Sequence, residues 1–182
     1  MDVELRGTLE IEGDSTLRRY HARTNDLRAA LELGDPARGG DDLGALVQAG
    51  QVSRVELTIP IERLVSGDAM LDRHLRAALK AEAFPMIRFV ADDVRASSGS
   101  LTLAGRLELA GVARPVNVAA RAGPAPGGLR VSGRQELSMT QLGLKPPTLM
   151  FGTLKVADRV VVKFDLEARL PAAPPRPIGD RS

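Results

Sequence analysis

The chain predicts a mainly β fold. About eight antiparallel strands curve around one apolar face, with one main helix near one end. Three observations carry this. Most of the 182 residues fall in runs where apolar and polar side chains alternate, the period of a half-buried strand. Glycine, proline, serine and aspartate clusters punctuate those runs at short intervals, which favours hairpins and antiparallel pairing. One segment, Leu71 to Ala91, changes period in its middle.

In chain order, Val3, Leu5, Leu9 and Ile11 alternate with Asp2, Glu4, Arg6, Thr8, Glu10 and Glu12. Leu27, Ala29, Leu31 and Leu33 form the next apolar row, and Asp41 to Ala49 fits a short helical turn. Val55, Leu57, Ile59 and Ile61 then face away from Glu56, Thr58, Pro60 and Glu62. Helical spacing follows at Leu71, Leu75, Ala78 and Leu79, and it gives way to alternation at Ile87, Phe89 and Ala91. Proline cannot continue a helix and drives its predecessor towards extended geometry, so Phe84-Pro85 reads as a helix-to-strand hinge. The helix is expected over about 68–83, with Ser66 or Asp68 capping its first turn. Further strands are marked by Leu101 to Leu109, Val116 to Ala120, Leu129 to Met139 and Val160 to Ala168. Residues 1–170 are read as one domain. The tail 171–182, PAAPPRPIGDRS, is Pro-rich without periodicity and reads as disordered.

Eight strands with one dry face make a sandwich or a closed barrel. Gly7, Gly105 and Gly133 interrupt the apolar columns. They mark sharp bends or clearance for a ligand, and either implies a strongly curved sheet. Gln135 falls in the same column as Val131 and Gly133. It follows a bulge that flips the phase, the reading preferred here, or it meets the polar end of a ligand.

Composition excludes several classes. The net charge of +2 is dispersed, and five aromatic residues supply no stacking platform, which argues against nucleic-acid binding. Absence of cysteine removes disulfides, thiol catalysis and thiolate metal sites. There is no run of 18 apolar residues, hence no transmembrane helix. Met1 is followed at once by charged, alternating residues rather than an export signal. The expectation is a removed signal or a cytoplasmic protein.

Catalytic candidates are sparse. His74 has Ala77 and Ala78 where a helical metal site needs ligands, so packing or surface exposure explains it better. His21, beside Tyr20, reads as a loop or strand-edge residue. No serine lies in a nucleophile elbow, and no glycine run forms a phosphate loop. Neither cofactor nor metal is expected. The apolar stretch around Pro146-Pro147 lacks strand or helix phase and is expected to pack over an opening in the core, opposite the helix.

Several pieces in fixed order resemble the YceI-like family of bacterial lipid-binding proteins. They are Glu12 to Leu17 (EGDSTL), Pro60 to Ser66 (PIERLVS), Ala78 to Ala81, Phe84 to Phe89 (FPMIRF), Leu103 to Val118 (LAGRLELAGVARPVNV) and Met139 to Asp158 (MTQLGLKPPTLMFGTLKVAD). The resemblance spans about Val3 to Leu170. It implies an antiparallel, lipocalin-like barrel whose interior holds a long isoprenoid chain or related lipid. It also implies no shared catalytic centre and a periplasmic or secreted location, while the missing export signal leaves the cytoplasm open. The expected function is therefore non-enzymatic binding, storage or transport of an isoprenoid-type or similar long-chain lipid. The expected lining is Val55, Leu57, Ile59, Leu75, Leu79, Phe84, Phe89, Leu103, Leu107, Met139, Met150, Phe151, Val162 and Phe164. Two rivals stand beside it: a filled barrel serving as an interaction module, and a lipid- or quinone-modifying enzyme using His21 or His74. Ligand identity does not transfer with the resemblance, and pairing of two barrels into a homodimer is left open.

Overall fold

The computed structural model describes residues 1–34, 42–149 and 152–171. The expected tail from 172 onwards, with Met150 and Phe151, lies outside the described residues. Ten strands appear: β1 (Asp2–Ser15), β2 (Arg19–Thr24), β3 (Arg28–Leu33), β4 (Val52–Pro60), β5 (Met86–Ser97), β6 (Ser100–Leu109), β7 (Val112–Ala125), β8 (Gly128–Ser138), β9 (Thr148–Leu149) and β10 (Leu154–Arg169). Each pairs antiparallel, and β1 also pairs with β10. Eight of them (β1, β3 to β8 and β10) thereby close into a barrel. β2 shares one edge of β1 with β3, pairing where β3 does not reach. It occupies the stretch where the sequence alternation loses phase, which is why periodicity does not reveal it.

The barrel closes because its strands bend. A side chain at Gly105 would place its Cβ 1.9 Å from the Val90 carbonyl oxygen, and one at Gly7 would lie 2.1 Å from that of Asp165. Both glycines mark close backbone approach between neighbouring strands, the corner reading of these residues. The β5–β6 register also shifts between Ala91 and Asp93, directly across from Gly105.

Among the described residues two α-helices sit at the ends, with a 3-10 turn, Ile61–Arg63, after β4. α1 (Leu43–Gln48) is capped by Asp42, whose carboxylate accepts from Gly44 and Ala45 N–H, and it buries Leu43, Leu46 and Val47. These pack with Val3, Leu31, Leu101 and Leu129, sealing one end. α2 (Ala69–Ala78) lies at the other end, capped by Asp68 rather than Ser66. Ser66 instead donates through its N–H and hydroxyl to Asp72.

α2 ends earlier than the proline predicts. Lys80 takes φ 52°, its N–H donates to the Ala77 carbonyl, and Ala81 N–H donates to Arg76. This pair of bonds is a Schellman motif, with a lysine in the place glycine usually takes. Pro85 therefore sits just before β5 rather than stopping the helix, and its carbonyl accepts from Ile61 N–H at 2.9 Å. β7 runs on past Ala120, the end of the expected run, to Ala125, and its turn to β8 is only Pro126–Gly127. Pro124 fits because it pairs with Leu129 near the hairpin tip.

Candidate functional site

Alternation from the paired columns defines the interior. Ile11, Leu9, Gly7 and Leu5 on β1 face Val162, Phe164, Leu166 and Ala168 on β10. Those in turn face Gln135, Gly133, Val131 and Leu129 on β8. The β8–β10 register is unbroken from Gly128 to Ser138, so no bulge precedes Gln135. The preferred bulge reading is thus corrected, and Gln135 stands in the inward column.

The expected lining residues fall along the length of this interior. Val55, Leu103 and Phe164 pack at the α1 end. Leu57, Ile59, Val162 and again Phe164 meet around Leu9, Leu27 and Leu166 at the waist. Leu75, Leu79, Leu107 and Met139 join Ile61, Leu64, Leu142 and Leu144 at the α2 end. That end packs the helix and the segment before Pro146-Pro147 onto one buried cluster. Phe89 is buried in β5, paired with Leu57 and Leu107. Phe84 stands apart from the interior at 43% exposure. Its ring lies over the β6–β7 turn, where a Cβ on Gly111 would come 2.6 Å from Phe84 Cζ.

Burial within the inward columns is uneven. Ile59, Phe89, Leu79 and Met139 are buried, yet Val55, Leu57, Leu103, Leu107, Val162 and Phe164 are only half-buried. An inward side chain in a closed barrel keeps accessible surface only through an end, a gap between strands or unfilled space inside. An eight-stranded barrel is just wide enough for its side chains or one small ligand. Gly133 adds to this room, because a Cβ there would lie 2.6 Å from Phe164 Cζ: the glycine seats the ring against the wall. Val116 and Val118 on β7 and Leu137 on β8 are inward and half-buried too. These three are not among the expected lining residues, although the same alternation marks them.

One gap is visible. β7 pairs with β6 along Val112 to Arg121. With β8, however, the ladder covers only Ala120 to Ala125 against Gly133 to Gly128. Beyond it a cleft of about 470 Å³ opens, lined by residues of both strands and by Gln141 and Leu142. That volume lies within the usual range for small-molecule sites. A second cleft of about 430 Å³ lies on the other side of the β6–β7 turn, beside Phe84, Arg88 and Glu108.

Apart from Arg114, in phase with Val116 and Val118 on β7, the ion pairs described next lie on the outward face. Arg88 bridges Glu56 and Glu108, with Arg88 Nε 2.6 Å from Glu56 Oε1. The Arg88 hydrogen bond holds the Glu56 carboxyl below the usual carboxylate range. Burial pushes Glu108 the other way, but hydrogen bonds from Arg88 and Arg106 overcome it and leave the net shift downward. His21 lies on β2 with Nδ1 3.3 Å from Glu10 Oε1 and 3.5 Å from Glu12 Oε1. Among the described residues these three form the one grouping able to offer three metal-ligand atoms. Lys163 and Arg23 already pair with its carboxylates, and Glu10 and Glu12 occupy the outward phase of β1. The cluster reads as an external ion-pair network. His74 is half-buried on α2 and is not part of that grouping.

Known structures share this architecture. BcnA of Burkholderia cenocepacia superposes with a TM-score of 0.67 at 17% identity, covering 88% of this chain and 95% of its own. A polyisoprenoid binding domain from Saccharophagus degradans gives 0.65 at 10% identity, covering 93% and 98%. A YceI protein of Campylobacter jejuni gives 0.60 at 18% identity, covering 80% and 82%. At these identities the likeness shows the fold alone. No curated protein matches the chain. The model of the YceI-like domain matches residues 8–168, which is most of the barrel, and the chain belongs to that family.

Proposed function

We propose that the protein binds a long-chain apolar lipid of isoprenoid type inside the barrel, as a carrier or store rather than an enzyme. The observation that carries this is the row of inward apolar side chains, Leu57, Leu103, Leu107, Val118, Val162 and Phe164, that remain half-buried within a closed barrel. A chain lying along that row removes its own surface and theirs from water. Each methylene buried contributes roughly 0.8 kcal/mol, so a long tail is held without many polar contacts. The Saccharophagus degradans neighbour, described as polyisoprenoid-binding, supports the same ligand class. The family and these neighbours point to a binding protein, and the periplasm is the location proposed with that role.

The test is native mass spectrometry of protein purified from its own host, followed by solvent extraction. A co-purified mass that leaves with the solvent and fragments as a prenyl chain is the expected result. Protein that carries no lipid and takes up none from vesicles would leave the filled-barrel module standing. That second reading draws on the packed waist, where Leu9, Leu27, Ile59 and Leu166 are all buried.

A further inference from the structure

We infer that the β7–β8 seam is a lateral mouth of the barrel: an apolar chain enters sideways between these strands and leaves its polar end at Arg114 and Gln135. The inference rests on the lipid-binding reading above and adds the route and the place of the head.

The first ground is the ladder itself. Val112 to Ala119 bond only towards β6, and Arg134 to Ser138 only towards β10, among the described pairings. Two strands that adjoin at one end are therefore parted at the other.

The second ground is covalent. Ala122 N–H bonds Gly99 on the β6 side. Successive residues of a strand direct their N–H groups to opposite edges, and the β6–β7 register has no shift. Pro115 consequently presents its missing donor to the β8 side. Proline in a sheet is confined to edges of this kind. The seam cannot form a complete ladder through this position.

The third ground is side-chain chemistry. On β7 and β8 the inward column is apolar except at Arg114, opposite Leu107, and Gln135, opposite Val162. Both line the seam cleft beside Val116 and Leu137. Gln135 donates to the Glu136 carbonyl at 3.3 Å and Arg114 to its neighbour's, Ala113, at 3.1 Å. Gln135 lies beside half-buried Val162, while Arg114 stays exposed because β8 does not cover it. A ligand whose tail follows Val116 and Leu137 inward would leave a hydrogen-bond-accepting head within reach of both donors.

Because the chain contains no cysteine, paired thiols can be placed at will. The variant Asn117→Cys with Glu136→Cys puts two exposed thiols on opposite sides of the open seam, to be joined by a short cleavable bis-maleimide. Arg121→Cys with Ser132→Cys, a register pair inside the continuous ladder, is the control staple. Uptake of a fluorescent polyprenyl alcohol from phosphatidylcholine vesicles is then followed. Stapling the open seam should slow uptake by about tenfold or more, a change within the roughly 1–3 decades that association rates span among variants of one site. Cleavage of the linker should restore it, and the control staple should have no effect. In addition, Arg114→Met with Gln135→Leu should abolish preference for the alcohol over a hydrocarbon of the same chain. Equal uptake with and without the seam staple overturns the lateral mouth alone. An unchanged preference overturns the placement of the head. If the unstapled protein takes up no chain at all, the lipid-binding reading falls and the mouth with it.

Discussion

Val118→Phe separates a barrel with room inside from one that is full. Val118 lies in the inward column of β7, opposite Leu103, and is half-buried. If the β7–β8 register continued past Ala120 and Gly133, Val118 would face Gln135. Unfilled space beside it would accept the larger ring. An extra ~50 Å² of buried apolar surface at about 25 cal/mol per Å² stabilises the ligand-free protein by ~1 kcal/mol. If the interior were packed to normal density, the same ring would force side chains and backbone aside at a cost of about 1–3 kcal/mol. The two cases differ in sign. Urea unfolding of delipidated wild type and variant measures the difference directly, at equal m-value. The expected outcome is an equal or higher midpoint together with affinity for a fluorescent polyprenyl probe weakened by about tenfold, or ~1.4 kcal/mol. Destabilisation beyond about 1 kcal/mol with no change in probe binding would refute the reasoning, since only a full interior resists the ring in this way.

Other perturbations probe neighbouring parts of the barrel. Leu107→Arg places a guanidinium in the interior opposite Arg114; lipid uptake should be lost, and a folded variant that extracts lipid normally would contradict the placement of the chain. Arg88→Met should raise the pH midpoint of acid unfolding and cost about 1 kcal/mol at neutral pH, the upper range for partly exposed ion pairs. The sign follows from Glu56 and Glu108, whose carboxyls are held low. Depressed carboxyls add stability above their unfolded pKa of ~4.3, and that stability is lost as the pH falls through the folded values. Asp68→Ala removes the α2 cap and should lower the midpoint of thermal unfolding, with the loss of helix signal as the readout. Lys80→Gly should stabilise by up to about 1 kcal/mol, because glycine takes the left-handed conformation of that position without steric cost.

The barrel strands are legible because each has one wet and one dry face, and period two survives in the sequence wherever that holds. β4 and β10 read from Val55–Ile59 and Val160–Ala168 for that reason, although the expected β4 row runs on to Ile61, which instead opens a 3-10 turn, Ile61–Arg63. β2 does not, since Arg19–Thr24 is a short strand with few apolar residues. The helix end is misplaced because Pro85 is a strong local signal, whereas the Schellman stop at Lys80 rests on a left-handed lysine that no propensity favours. The general cost of a polar group in an apolar column makes Gln135 look like the product of a bulge. That cost falls where the ladder to the neighbouring strand is interrupted, and only the pairing map shows the interruption. For the same reason the seam cleft, with Val116, Val118 and Leu137, escapes a reading confined to one strand at a time.

Pro115 nevertheless carries a signal that sequence alone can use. In a barrel every strand has two neighbours, so every backbone N–H of a mid-strand residue is expected to be paired. A proline inside an alternating run contradicts full closure at that point, on whichever side its nitrogen faces. Arg114 immediately before it and Gln135 on the adjacent strand then share an explanation: each breaks the apolar alternation where β7 and β8 separate. Replacing Pro115 by valine supplies the missing donor. If the gap is held open by that absent bond, Pro115→Val should lengthen the β7–β8 ladder, protecting the newly introduced amide from exchange and slowing exchange at Asn117. It should also slow lipid uptake without weakening binding at equilibrium, since a narrower mouth retards passage in both directions and leaves the interior unchanged. Lowered equilibrium affinity with unchanged uptake rate would instead place Pro115 in the binding surface.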